Sequence, residues 1–139
     1  SLVGSEMCIR HSYNSNEISK LKLLSIALKN LELIVEKKTA IMFLNQADLI
    51  KNNYMKGDSE GIVNYGLSLR GIHFSVIFIE DENEKNKFKI SFRSKEDFPC
   101  NEFAFKFFNG GGHLNAAGGL YKGNLNSAIE YFKKSLNEF

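Results

Sequence analysis

The sequence predicts an α/β (α+β) single domain, a small mixed β-sheet flanked by helices, and three observations carry that expectation. The run TAIMFLN (39–45) is short, continuously apolar and bounded by polar residues, as a strand covered on both faces is. The β-rich runs IHFSVIFIE (72–80) and FKISFRS (88–94) are separated by the charged segment DENEKNK, which reads as a hairpin with a solvated turn. Segments of helical period stand at both ends of the chain. Helices interspersed with a few strands of this kind fold as one layered domain.

In chain order, residues 17–35 place Leu21, Leu24, Leu28, Leu31 and Val35 at helical spacing, with charged residues opposite, and predict one amphipathic helix. After the strand 39–45, QADLIKNN (46–53) predicts one or two helical turns. GDSEGIVNYGLSLRG (57–71) predicts a second helix with Asp58 or Ser59 as N-cap, Glu60 favourable at the helix dipole, Ile62, Val63 and Leu67 as the apolar side and Gly71 as the stop. His73 is expected on the next strand, on one face with Ser75, as an ordinary solvent-facing or hydrogen-bonded histidine. In 88–94, Phe88, Ile90 and Phe92 alternate with Lys89, Ser91 and Arg93, so that Arg93 ends the strand on its polar face. PCNEFAFKFF (99–108) predicts a helix started by Pro99, with Phe103 and Phe107 directed to the core, and closed by Asn109 and Gly110 in the left-handed conformation. GLYKG (119–123) predicts a short last strand, and 124–139 a C-terminal helix capped by Asn124 with Leu125, Ile129, Phe132 and Leu136 inward.

Composition narrows the function. The chain has 139 residues, 43% of them hydrophobic and 12% aromatic, enough for one core. A formal charge of +2 is too small for bulk attraction to nucleic acid or membrane, so an anion site has to be local. The longest apolar runs fall far short of the ~20 residues that span a bilayer, and no membrane partner is expected. Cys8 and Cys100 read as free thiols in a reducing cytoplasm, and no Cys/His pair has metal-ligand spacing. Residues 1–16 are left unassigned, the first ten reading as a remnant foreign to the domain, and 17–139 form the domain; His11 has no assigned role.

The chemistry concentrates in FFNGGGHLNAAGGLYKG (107–123), which carries six glycines. Glycine runs raise the entropy lost on folding, so the bare backbone has to serve something that comes close to it. Read from the residues, Gly110, Gly111 and Gly112 form a cup of backbone N–H groups for an anion, and His113 at its lip adds a donor. Ala116, Ala117 and Gly118 keep the far side thin. Arg93 adds a guanidinium fork suited to phosphate if the sheet order brings its strand end beside the loop. An ordinary turn after a helix is the plainer reading of the same glycines, and the pattern alone leaves both open.

GDSEGIVNYGLSLRGI, FKISFRSK and NEFAFKFFNGGGHLNAAGG, in that order and spacing, resemble the C-terminal DHH-associated domain 1 of the DHH-family phosphoesterases, closest to the branch of nanoRNases (oligoribonucleases) and adenosine bisphosphate phosphatases. The resemblance runs from about residue 17 to 138, and Asn109 stands where the family usually has a first of four glycines. It implies the substrate-binding half of a hydrolase acting on short RNA or DNA oligonucleotides or nucleotide bisphosphates. Arg93 and Ser94 would hold a terminal phosphate or nucleotide, and Gly110, Gly111, Gly112 and His113 would press the scissile phosphate toward metal ions. Those ions, Mn or Mg, would be bound by an N-terminal DHH domain of the same protein, and the naming Asp-His-His triplet is absent from this chain. No catalytic residue or metal ligand is therefore expected here, His113 being at most a transition-state contact, and the chain by itself is not expected to turn over. Lys95 and Asn115 flank the implied positions. A cytoplasmic location is expected from the free thiols, and a homodimer of the full-length form is left open. The alternative is a noncatalytic nucleic-acid-binding module, as when a similar domain is appended to alanyl-tRNA synthetase.

Overall fold

The computed structural model describes residues 17–139; Cys8, His11 and every expectation placed on residues 1–16 lie outside them. A helix, α1, occupies 17–29, followed by strand β1 (Glu32–Ile34), a 3-10 turn (Val35–Lys37) and strand β2 (Thr39–Leu44). Helices α2 (Gln46–Lys51) and α3 (Asp58–Leu67) lead to strands β3 (Phe74–Glu80) and β4 (Lys87–Ser94). Helix α4 (Cys100–Phe108), strands β5 (Gly111–His113) and β6 (Ala116–Lys122) and helix α5 (Leu125–Glu138) complete the domain. The six strands form one mixed sheet in the order β1-β2-β3-β4-β6-β5, in which β2 and β3 are parallel and every other neighbouring pair is antiparallel.

Side chains of successive strand residues point to opposite faces, and here each face carries its own core. Phe74, Val76, Phe78, Phe88, Ile90 and Phe92 meet Phe103, Ala104 and Phe108 of α4 and Ala128, Phe132 and Leu136 of α5. Met42, Leu44, Ile77 and Ile79 meet Leu23 and Ala27 of α1, Leu49 of α2 and Ile62 and Val63 of α3. The first core is an aromatic cluster, with Phe132 5.4 Å from Phe103 and 5.9 Å from Phe78 between ring centroids. Burying each such ring contributes roughly 1.5–3 kcal/mol.

The sheet and hairpin expectations hold: β2 is buried on both faces, and Phe88, Ile90 and Phe92 are buried while Lys89 is exposed and Ser91 and Arg93 are half-buried. Asn45 caps α2 and Asn124 caps α5, each side-chain oxygen accepting from the backbone N–H three residues on, at 2.9 and 2.8 Å. Asn109, at φ 51°, closes α4, and the Gly110 N–H donates to the Ala104 carbonyl at 3.0 Å.

Three expectations are corrected. The helix expected over 17–35 stops at residue 29, and Glu32–Ile34 form the sheet edge paired to β2. The buried stripe of α1 is Leu23 and Ala27, whereas Leu21 is 64% and Val35 73% exposed. A leucine-rich helix offers several apolar stripes, and the small Ala27 carries little apolar signal for the one that packs, while the β-branched Ile34 suits extended backbone. Asp58 begins α3 without capping it: Gly57 holds the cap position, and the Asp58 carboxylate accepts from the Met55 N–H at 2.9 Å. Third, β6 begins at Ala116 rather than Gly119 and pairs with a further strand, β5, inside the glycine segment. His73 stands just before β3, its N–H donating to the Lys38 carbonyl at 2.8 Å and its Nδ1 3.7 Å from Glu96 Oε2.

Candidate functional site: the open face of the sheet

The register of β4, β6 and β5 assembles the site. Arg93 pairs with Ala116, and Ala116 with His113, so the three form one row across the sheet on a single face. At an inter-strand spacing of about 4.8 Å, the Arg93 and His113 backbones stand about 10 Å apart with only a methyl group between them. The next row on that face is Ser91, Gly118 and Gly111, and beyond it Lys89 faces Leu120. Helix α3 packs over β2, β3 and β4. Past it the face is open: Gly111, His113 and Leu120 are exposed, and Ala116 and Gly118 half-buried. A concavity of about 300 Å³ lies there, between Lys89, Ser91, Asn109 and Leu120 over the Gly118–Gly119 backbone.

Arg93 sits at the border between the covered and open parts, its side chain 19% exposed. Nη1 donates to the Phe92 carbonyl at 2.9 Å, and Nη2 lies 3.7 Å from Glu60 Oε1 of α3. A guanidinium has five N–H donors in a planar fork, so these contacts orient it without exhausting it.

Of the residues singled out in the sequence, Arg93, Gly111 and His113 come together, and Ser94 does not join them. Ser94 points to the opposite face, is 4% exposed, and donates to the Phe98 carbonyl at 2.7 Å while accepting from Asn115 Nδ2 at 3.0 Å. Asn115 Nδ2 also reaches the Glu96 carbonyl at 3.2 Å, and the Ser94 N–H donates to the Asn115 carbonyl at 3.1 Å. Ser94 and Asn115 thus latch the 95–99 loop to the 113–115 turn and hold the Arg93 strand end against the His113 hairpin.

The cup of N–H groups is also corrected. Gly111, Gly112 and His113 are extended and paired with β6, and successive N–H groups of a strand point to alternate sides, so they cannot converge on one anion. The glycines divide by purpose instead. A Cβ on Gly110 would stand 1.8 Å from the Gly118 oxygen, one on Gly112 2.5 Å from the Ala116 oxygen, and one on Gly119 2.7 Å from Phe108 Cβ. Those three are imposed by close packing. A Cβ on Gly111 would meet nothing within 4 Å, and one on Gly118 only Ile90 O at an ordinary 3.4 Å. Packing does not demand these two, and they are the glycines of the open face.

Among the described residues no three His, Cys, Asp or Glu side chains cluster as a metal site, whereas Mg²⁺ and Mn²⁺ want several oxygen ligands. Lys95 is half-buried and its N–H donates to the His73 carbonyl at 2.9 Å, on the far side of the latch. No pattern in the chain signals the Glu60–Arg93 contact, which joins an exposed helix position to a strand end 33 residues later.

The DHHA1 domain family matches residues 36–138. This chain is a DHHA1 domain. An exopolyphosphatase-related protein from Bacteroides fragilis is 41% identical, with TM-score 0.79, covering 86% of this chain and 34% of its own. The pGpG-specific phosphodiesterase PggH from Vibrio cholerae shares the fold at 11% identity and TM-score 0.61, covering 94% of this chain and 42% of its own. The chain thus spans about a third of the Bacteroides fragilis protein and under half of PggH. No curated protein matches it. Among the described residues no helix is long and apolar enough to cross a membrane.

Proposed function

We propose that this DHHA1 domain is the substrate-phosphate-binding half of a metal-dependent phosphoesterase acting on short oligonucleotides or nucleotide bisphosphates. The observation that carries the reading is the row Arg93–Ala116–His113: two groups suited to phosphate on one open face, separated by a residue too small to obstruct it. Arg93 supplies a planar fork with charge, which suits phosphate oxygens. His113 supplies an imidazole donor from the exposed edge of the same seat. Gly111 and Gly118 keep the floor low enough for a nucleotide to lie across the strands. Ser94 and Asn115 act through Arg93 and His113 by holding their strands together.

The Mn²⁺ or Mg²⁺ of such an enzyme belongs to a DHH domain elsewhere in the protein, where it would lower the pKa of the attacking water. This chain's part is to deliver and orient the phosphate. A precedent in kind is the similar Bacteroides fragilis protein, described as exopolyphosphatase-related.

The test is kinetic, in the full-length enzyme. Arg93→Ala removes a charge-assisted contact of roughly 1.5–3 kcal/mol, about ten- to a hundredfold in kcat/KM, mostly through KM. His113→Ala acts mainly on kcat if it meets charge that develops during the reaction. Metal affinity is expected to survive both. Two stable variants with parental kinetics on a dinucleotide would return the loop to a plain structural turn.

A further inference from the structure

We propose that Glu60 sets the charge of the anion accepted at Arg93, favouring the singly charged phosphodiester of an oligonucleotide over the doubly charged monoester phosphate of a nucleotide bisphosphate. The inference rests on the phosphate-binding reading of Arg93 and chooses between the two substrate classes which that reading leaves together. Glu60 Oε1 lies 3.7 Å from Arg93 Nη2, with its side chain 66% exposed beside the open face. The first turn of α3 already holds Asp58, so a second carboxylate is not needed there to complement the helix dipole.

An anion on the Arg93 fork sits within about 3 Å of the guanidinium nitrogens, hence within roughly 7 Å of the Glu60 carboxylate. At that distance in a largely solvated setting, repulsion weakens binding about threefold for each unit of charge on the ligand. A diester carries one charge and a monoester close to two at pH 8, its second pKa being about 6. Glu60 therefore penalises a monoester by about the square of the factor it imposes on a diester. Lys89, four residues along β4 on the same face, is about 13 Å away and is the same in the parent and in a Glu60 variant, so its attraction cancels when the two are compared. His113 shares the row and can donate a hydrogen bond to either ligand.

The experiment is a chemical-shift titration of the chain at pH 8 and low salt with ApA, which carries one diester, and with AMP, which carries one monoester. In Glu60→Gln the expected result is tightening of about threefold for ApA and about tenfold for AMP, so that the ratio of the two Kd values moves about threefold. The exposed position keeps the variant's Tm at the parental value. A ratio that stays fixed, or moves the other way, while both ligands still depend on Arg93 overturns the role of Glu60 alone. Binding of neither ligand that responds to Arg93→Ala overturns the phosphate seat itself, and the charge filter with it.

Discussion

Gly110 and Gly111 are chain neighbours with opposite sensitivity to a single methyl group. Gly110→Ala would drive Cβ to 1.8 Å from a backbone oxygen, and the shift that relieves it is expected to cost about 1–3 kcal/mol or more. Gly111→Ala has open space and should stay within about 0.5 kcal/mol of the parent, yet its Cβ rises from the floor of the seat and should weaken nucleotide binding. Denaturant melts and a ligand titration on both variants separate the two roles. Cys100 gives a second residue-level test. Burial, the largest influence, pushes its thiol up from the ordinary 9.0, against smaller lowering influences from Ser94, Arg93 and its own backbone. The folded state therefore keeps the proton longer than the unfolded chain does. The resulting stability is fully present below pH 9 and lost as pH rises through the raised value. In a Cys8→Ser background, Tm should fall more steeply above pH 9 than in the same chain carrying Cys100→Ala.

At the scale of elements, the hairpin β3–β4 was legible because β3 is a continuous β-rich run, β4 alternates strictly, and the segment between them is wholly polar. The C-terminal helix was legible for the same reason, its Asn124 cap and inward Phe132 and Leu136 lying where their spacing put them. Strand β5 was not, because three residues of GGH have no pattern and become a strand only by pairing with β6. The purpose of Ser94 was misread for a related cause: it stands beside Arg93 in sequence, but the two-residue period of a strand sends it to the opposite face. Its latch is testable. Ser94→Ala removes the bonds to Phe98 and Asn115 and leaves the part-buried Phe98 carbonyl without this donor, at about 1–3 kcal/mol. Nucleotide affinity should fall as well, since the Arg93 and His113 strand ends lose the tie between them.

For the molecule as a whole, the two faces of the sheet carry different work. The α4–α5 face holds the aromatic cluster and most of the stability, so Phe132→Ala, at a side chain with no exposure, should cost about 3–5 kcal/mol while the remaining folded protein binds ligand unchanged. The opposite face is covered by α1, α2 and α3 only as far as β4, and the uncovered strands carry the proposed seat. The central claim, that phosphate is taken at Arg93–Ala116–His113, is tested most directly by mapping backbone amide shifts of the chain titrated with a dinucleotide. Half a cleft should bind no better than roughly millimolar, about 4 kcal/mol. The shifts should gather at Arg93, Ala116, Gly118, Gly111 and His113 and vanish in Arg93→Ala; shifts centred on the 81–87 turn or on the α4–α5 face would contradict the account.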